Sequence, residues 1–392
     1  MKTLDEVLDR SPDEVAKWER GVFDELVANK YGRLVLCGAG GMGRKVLAGL
    51  TRAGTPPLAF ADNNPKLAGQ SIDGVPVYSA ADAVPRFGKD AAFVVTSWGA
   101  HSRDRLAQRK QQWRDLGCDT VVSFMSLFWK DAESYLPHYS CNLPHKTFAQ
   151  AKRIKKLASL WADDVSRAEF LAQVRWRTEL DFAGLPAPVG GRTYFPADIL
   201  TLRPDERMVD CGAFDGDTLS DFLQLNDGEF EKFWALEPDP TNYEKLERFV
   251  RELAPEVQAR IDLLKIAASD RAQTLRFSAD ATAGSAAATT GNIEVEARAL
   301  DEVLADENPT FVKMDIEGAE LSALQGARKI LTRRRPLLAI CVYHLQEHLW
   351  EIPEWLREHL SDYQFYLRPH DLEAWDLVCY AVPNERSLPA RT

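Results

Sequence analysis

The sequence contains no basic tract to offset its net charge of -11, and that shortage disfavours a nucleic-acid partner. Its densest basic run, Arg333-Arg334-Arg335, closes a predicted helix, where cations suit the dipole. No C-x-x-C pair occurs among the six cysteines, Cys37, Cys118, Cys141, Cys211, Cys341 and Cys379. Four of them, Cys37, Cys211, Cys341 and Cys379, sit in apolar strand-like runs, as buried thiols do. This pattern excludes a cysteine metal cluster and a disulfide framework, and makes a reducing cytoplasm the expected compartment. No apolar run approaches the roughly 20 residues that span a membrane, and no basic-then-apolar leader opens the chain. Ser11-Pro12-Asp13-Glu14 instead reads as a helix start, with Ser11 as cap, Pro12 in the first turn and Glu14 closing a capping box.

What is present begins with length and ordinary globular composition. A chain of 392 residues implies two or three domains at roughly 100–200 residues each. Arg33-Leu34-Val35-Leu36-Cys37 reads as a buried strand feeding Gly38-Ala39-Gly40-Gly41-Met42-Gly43, a G-x-G-x-x-G turn followed by a helix. A second strand, Leu58-Ala59-Phe60-Ala61-Asp62, ends in an acid 19 residues past Gly43. That is about where a Rossmann unit puts its ribose-binding carboxylate. No carboxylate lies within the turn, and Arg44 and Lys45 follow it, so the expected ligand is an anion at a helix N-terminus. Gly38, Gly40, Gly43 and Asp62 are therefore the candidate residues of an N-terminal nucleotide site. The run from Phe60-Ala61-Asp62-Asn63-Asn64 through Gly69 to Gly74-Val75-Pro76-Val77 resembles the nucleotide- or sugar-nucleotide-binding N-terminal domain of several bacterial glycan-modifying enzymes.

From 124 to 196 the pattern changes. Trp129, Tyr135, Tyr139, Phe148, Trp161, Phe170 and Trp176 punctuate helical segments, and such aromatics more often pack than bind. The breakers Pro186-Ala187-Pro188-Val189-Gly190-Gly191 mark a loop. Beyond it, strand-like and helix-like segments alternate, which implies a second parallel sheet. The expected architecture is α/β. It has a Rossmann-like domain over 1–125, a helical aromatic-rich linker over 126–195, and a second Rossmann-like domain over 196–392 that ends in an antiparallel strand pair. That ending is typical of methyltransferase sheets and not of dehydrogenases. Residues 279–292 are small, polar and glycine-bearing, and read as a loop or lid beside the cofactor edge.

The turn Met208-Val209-Asp210-Cys211-Gly212-Ala213-Phe214-Asp215-Gly216-Asp217-Thr218 carries three carboxylates. They would repel a pyrophosphate and attract a cationic cofactor. S-adenosylmethionine, with its ammonium and sulfonium, fits that sign. Glu237 ends the next strand 21 residues past Gly216, at the ribose-hydroxyl position. Ala267 leaves the third strand at cofactor level. Asp210-x-Gly212-Ala213-x-x-Gly216-Asp217, Glu237-Pro238, Leu300-Asp301, Lys313-Met314-Asp315-Ile316-Glu317-Gly318-Ala319-Glu320, Gln325-Gly326-Ala327 and Val342-Tyr343-His344 follow in that order. Together they resemble the FkbM family of S-adenosylmethionine-dependent O-methyltransferases, over roughly residues 194–383. Phe214 departs from the small polar residue of many relatives. The resemblance implies cofactor roles for Asp210, Gly212, Asp215, Gly216, Asp217 and Glu237; Phe214, Ala267 and Asp315 are further candidate cofactor residues.

Methyl transfer to a hydroxyl needs alignment, a dry site and a base. Asp315 ends a central strand at the carboxyl edge of the sheet, and His344 ends the next one. His344 is therefore the expected base, oriented by Asp315, with Asp315 and Glu317 as alternatives. Glu320 reads as a helix-surface acid, Glu347 and His348 as a helix start, and His370 as an outside candidate. A divalent cation held by Asp315, Glu317 and His344 is a secondary option beside a metal-free site. The expected acceptor is a hydroxyl of a sugar, nucleotide-sugar or glycan intermediate, as in polysaccharide biosynthesis. Neither a nucleic-acid partner nor a membrane span is expected, and a homo-oligomer is compatible with the chain. The rival readings are an NAD-dependent oxidoreductase and a nucleotide-sensing scaffold, both using the N-terminal turn.

Overall fold

The computed structural model describes residues 2–28, 30–277, 293–373 and 375–388, so the lid expected at 279–292 lies outside the described residues. The chain divides into two compact units. One comprises Met1–Lys155, Ala168–Ala187 and Asp371–Trp375; the other comprises Lys156–Arg167, Pro188–His370 and Asp376–Thr392. The aromatic-rich stretch is thus shared out between them. Among the described residues no helix is long and apolar enough to cross a membrane.

The first unit is built on β1 (Leu34–Cys37), β2 (Ala59–Ala61), β3 (Ser71–Ile72), β4 (Val75–Tyr78), β5 (Ala92–Val95) and β6 (Thr120–Ser123). They form one sheet in the order β3-β4-β2-β1-β5-β6, parallel throughout except for the β3–β4 pair. β1 and β5 are buried along their whole length, as strands covered on both faces must be. The helix Pro12–Val27 starts as the sequence predicts. Ser11 Oγ accepts the Glu14 N–H, and Glu14 Oε2 accepts the Ser11 N–H at 2.8 Å. Its buried residues, Val15, Val22, Phe23 and Val27, make one stripe. After β1 the chain turns into the helix Gly41–Arg52. Gly43 packs so tightly on this turn that a β-carbon there would lie 2.0 Å from the Gly38 carbonyl oxygen, which only glycine permits.

The second unit carries β7 (Arg207–Cys211), β8 (Lys232–Leu236), β9 (Ile261–Leu264), β10 (Ala267–Ala268), β11 (Gln273–Phe277), β12 (Ile293–Arg298), β13 (Phe311–Met314), β14 (Leu337–Cys341), β15 (Tyr363–Pro369) and β16 (Leu377–Pro383). Seven of them form the sheet β15-β16-β14-β13-β7-β8-β9. The run from β9 to β14 is parallel, and β16 lies antiparallel to both β14 and β15. β10, β12 and β11 make a smaller sheet in that order. The strand order reverses at β7, which pairs with β8 on one side and β13 on the other. The crevice at the carboxyl ends beside such a reversal is where open α/β sheets bind ligands.

One buried charge ties the antiparallel end of the sheet to its surroundings. Arg368 on β15 is 1% exposed and places Nη2 2.8 Å from Asp198 Oδ2 and Nη1 2.8 Å from Ser166 Oγ, with Asp163 as its other carboxylate. The two carboxylates are themselves part-exposed, 32% and 40%. Removing the arginine lets them hydrate, whereas removing both acids strands a guanidinium away from water. Asp163→Asn with Asp198→Asn should therefore destabilise by about 3–5 kcal/mol. Arg368→Met should cost about 1–2 kcal/mol in lost hydrogen bonds. Urea unfolding of the two variants checks the order.

Candidate active site

The cleft at the carboxyl edge of the second sheet has a volume of about 940 Å³, open to solvent. Its floor is the turn after β7. Gly212 sits at φ +83°, and a β-carbon there would lie 2.0 Å from the Asp315 carbonyl oxygen. The backbones leaving β7 and β13 therefore touch, and no other residue type fits. Phe214, whose φ is +47°, lends its N–H to Glu237 Oε2 at 2.8 Å, while Glu237 Oε1 accepts the Asp239 N–H at 2.8 Å. The acid at the end of β8 thus fixes the turn after β7. Asp239 in turn caps the helix Pro240–Arg251 by accepting the N–H groups of Thr241 and Asn242. The first unit repeats the device. Asp62 Oδ2 accepts the Ala39 N–H at 2.7 Å, and Oδ1 accepts the Asn64 N–H at 2.7 Å.

Beneath the floor, Lys313 Nζ lies 2.8 Å from Asp210 Oδ1 and donates to the Gly212 carbonyl at 2.7 Å. Both side chains are withdrawn from solvent, at 2% and 0% exposure. Burial pushes the Asp210 carboxyl up to about 6 against the pull of the Lys313 ammonium. Burial also works against the Lys313 cation, but Asp210 and Asp315 outweigh it and hold the amine protonated. At neutral pH the two form an ion pair, so the Asp210 charge is already matched from within the protein. Asp210 was expected to meet a cationic cofactor; it is fully buried against Lys313, and neither it nor Asp215 nor Gly216 is among the residues that line the cleft. The wall itself includes Gly212, Phe214, Asp217, Thr218, Glu237, Asn242, Ala267, Lys313, Asp315, Glu317, Tyr194 and Tyr343. Asp217 also bonds its own turn, accepting the Thr218 N–H at 2.6 Å. Burial pushes the Glu237 carboxyl up to about 7, against the two backbone N–H groups that favour its charged form.

The catalytic candidates converge at the ends of β13 and β14. His344 Nε2 lies 3.3 Å from Asp315 Oδ1 and 3.6 Å from Glu317 Oε2, and Nδ1 lies 2.8 Å from Glu320 Oε1, close but not in line. Glu320 is not a helix-surface acid. It is fully buried, with Oε1 also accepting the Ile316 N–H at 3.0 Å and Oε2 lying 3.2 Å from His348 Nδ1. Burial alone would raise its pKa; His344 and His348 reverse that and hold it well below the usual carboxylate range. For His344, burial disfavours the cation, yet Glu320, Asp315 and Glu317 outweigh burial and raise it to about 9. Glu317 is pushed up to about 8, chiefly by burial.

Sequence reasoning placed His344 as the base. The structure puts it behind the wall, with carboxylates facing both nitrogens and a proton held at neutral pH. Asp315, by contrast, faces the cleft. Its Oδ2 accepts the Tyr194 hydroxyl at 2.6 Å and its Oδ1 the Tyr343 hydroxyl at 3.3 Å. Burial, then the Asp315 charge, keep the Tyr194 phenol protonated and so a donor. Tyr194 carries no motif, and nothing in its neighbourhood singles it out. Lys313 did carry a signal, a charge within the buried strand Phe311-Val312-Lys313-Met314, which demands a partner. His370 stands apart from the cleft, with Nε2 2.7 Å from the Tyr380 hydroxyl.

A strand order that reverses at β7, an antiparallel β16 inserted between β14 and β15, and an acid-walled crevice at the carboxyl edge are the layout of a methyltransferase fold. Residues 210–366 match the Methyltransferase FkbM domain, which supports a methyltransferase. Among solved structures, the methyltransferase FkbM of Methylobacillus flagellatus KT is similar over 94% of this chain and 96% of its own, at 24% identity and a TM-score of 0.79. That likeness establishes the fold. A fibrillarin of Aeropyrum pernix solved with S-adenosyl-L-methionine is 14% identical over 46% of this chain and 69% of its own, at a TM-score of 0.30. No match was found among curated proteins.

The charge cluster makes stability depend on pH. The His344 pKa rises on folding from 6.5 to about 9, so its contribution is complete below pH 6.5 and is lost as pH rises through about 9. Glu317, raised to about 8, acts in the same direction, because the folded state resists its ionisation. Asp210 and Glu237, raised to about 6 and 7, have largely ionised by then. Thermal stability should fall between pH 7.5 and 9, and His344→Gln should flatten that slope in melting curves across the window.

Proposed function

We propose that the chain is an S-adenosylmethionine-dependent O-methyltransferase with Asp315 as the proton acceptor. The observation that carries this reading is the sign of the cleft. Among the described residues its wall bears Asp217, Glu237, Asp315 and Glu317 against one cation, Lys313, and Lys313 is already committed to Asp210. A wall of that sign suits a ligand with an ammonium and a sulfonium and opposes a pyrophosphate.

Glu237 would receive the ribose hydroxyls, and Ala267 with its neighbours the base. The turn at Gly212 to Phe214, beside Asp217, would hold the amino-acid end. The donor supplies an electrophilic methyl group. The protein holds the acceptor oxygen in line with it and takes its proton. Asp315 is the carboxylate that both faces the cleft and is held in place, by Tyr194 and Tyr343. His344 is a positioning residue: its Nε2 lies behind Asp315, 3.3 Å from Oδ1. The glycan-type acceptor, whether sugar, nucleotide-sugar or glycan intermediate, rests on the N-terminal resemblance. With it goes the reading of Gly38, Gly40, Gly43 and Asp62 as a nucleotide site.

Calorimetry with S-adenosylmethionine should give one site, weakened at least tenfold by Glu237→Ala. Asp315→Asn should keep that affinity and lose about 10²–10⁴ in kcat, the range of a positioned acid or base. His344→Gln should lower kcat less and displace the pH-rate profile. Full turnover by Asp315→Asn, measured against a panel of nucleotide sugars, would remove the carboxylate from its role. Tight NADH binding with no affinity for the methyl donor would replace the reading itself.

A further inference from the structure

We propose that Asp315, Glu317 and His344 form a site for a hard divalent cation of the Mn²⁺ or Mg²⁺ class, with Glu320 orienting His344 from behind. The inference deepens the methyltransferase reading, on which its catalytic meaning rests.

The leading observation is His344 Nε2. The residue is 3% exposed, and this nitrogen makes no hydrogen bond. Its ion-pair partners face it without an in-line hydrogen bond, as Glu320 faces Nδ1; a buried ring nitrogen that makes no hydrogen bond is costly, and the place it faces is defined on both sides by oxygen. Asp315 Oδ1 is 3.3 Å away and Glu317 Oε2 3.6 Å away. An ion about 2.1 Å from each ligand sets neighbouring ligands about 3.0–3.4 Å apart, and two carboxylates with one imidazole suit such cations. The Asp315 separation falls within that spacing. Glu317, on the cleft wall, needs a small side-chain movement to join it. Among the described residues of this cluster, the trio whose donor atoms all lie within 4.8 Å of one another is Asp315, Glu320 and His344, so Glu317 joins Asp315 and His344 only by moving.

A second observation is the support behind the ring. Glu320 Oε1 lies 2.8 Å from His344 Nδ1 and is itself anchored by the Ile316 N–H and, through Oε2, by His348. A carboxylate behind a histidine is the usual means of fixing which nitrogen faces a metal. In this arrangement His344 binds as a neutral imidazole, and the ion takes over the positive charge that balances Asp315 and Glu317. Because Asp315 and Glu317 line the cleft, the ion would meet the acceptor hydroxyl there and lower its proton affinity.

The test is calorimetry and electron paramagnetic resonance of the full chain, dialysed against chelator and titrated with Mn²⁺. One site should appear, with a nitrogen hyperfine coupling from the imidazole. His344→Gln should abolish the coupling and weaken binding at least tenfold, and Glu320→Gln should weaken it several-fold. Asp262→Asn, a surface change on β9, should leave it intact. Circular dichroism and S-adenosylmethionine binding report whether each variant folds. If His344→Gln fails to fold, Glu317→Gln takes its place, and Mn²⁺ affinity unchanged in that variant would overturn the proposal. Mn²⁺ binding without a nitrogen coupling would overturn it as well, by assigning the ion to surface acids. So would no binding up to millimolar Mn²⁺ in a protein that still takes S-adenosylmethionine, and that result would leave the methyltransferase reading standing.

Discussion

The Lys313 ammonium, shut between β7 and β13, is the interaction on which the site depends. It bonds the Asp210 carboxylate and the Gly212 carbonyl together, and so joins the two strands whose ends make the floor of the cleft. Gly212 can approach the Asp315 carbonyl only because it lacks a β-carbon. The ion pair and the close approach reinforce each other: one holds the strands in register, the other brings the donor turn and the Asp315 carboxylate to the same edge. A buried ion pair is poor evidence of net stability. Its value here is placement, because it consumes the charge of one acid and leaves Asp217, Glu237 and Asp315 to face a ligand.

The two units use one backbone device with opposite electrical outcomes. In each, an acid ending the second strand accepts an N–H from the glycine turn after the first. Asp62 takes it from Ala39, and Glu237 from Phe214. The first turn then leads into a helix bearing Arg44 and Lys45, and Lys45 Nζ lies 3.1 Å from His138 Nδ1. The second leads into a helix that begins with Asp217. Acids at this position are commonly read as ribose ligands, yet in both units each carboxylate oxygen already accepts a backbone N–H. Such an acid fixes the loop first, and only its remaining lone pairs face outward.

Much of the second unit was legible because its signals are local. Strand-turn-acid spacing located Gly212, Glu237 and Asp315, and the order of apolar runs gave the sheet and its antiparallel close. The capping box at Ser11 was likewise a matter of adjacent residues. What was not legible depends on atoms brought from far along the chain. Tyr194 reaches Asp315 from 121 positions away, and no periodicity marks it. Glu320 looks like a helix-surface acid by sequence, and only the packing of His344 and His348 against it shows it to be buried. The Lys313 partner of Asp210 was not legible, since the sequence shows which strand Lys313 occupies but not which way its amine points.

The distribution of protons in the cleft ties these pieces together. Burial raises Glu237 to about 7 and Glu317 to about 8, while His344 retains its proton to about 9. Near neutral pH Glu237 is thus balanced between its neutral and charged forms and Glu317 largely holds its proton, while the imidazole behind them is charged. A cation arriving in the cleft favours the ionised acids and displaces their protons, whether it is a methyl donor along the Glu237 side or a metal ion beside Glu317. An anion would do the reverse and meet Asp217 and Asp315 as well. Asp315 is held by two phenol donors, which fix its orientation while Glu237 and Glu317 change their charge.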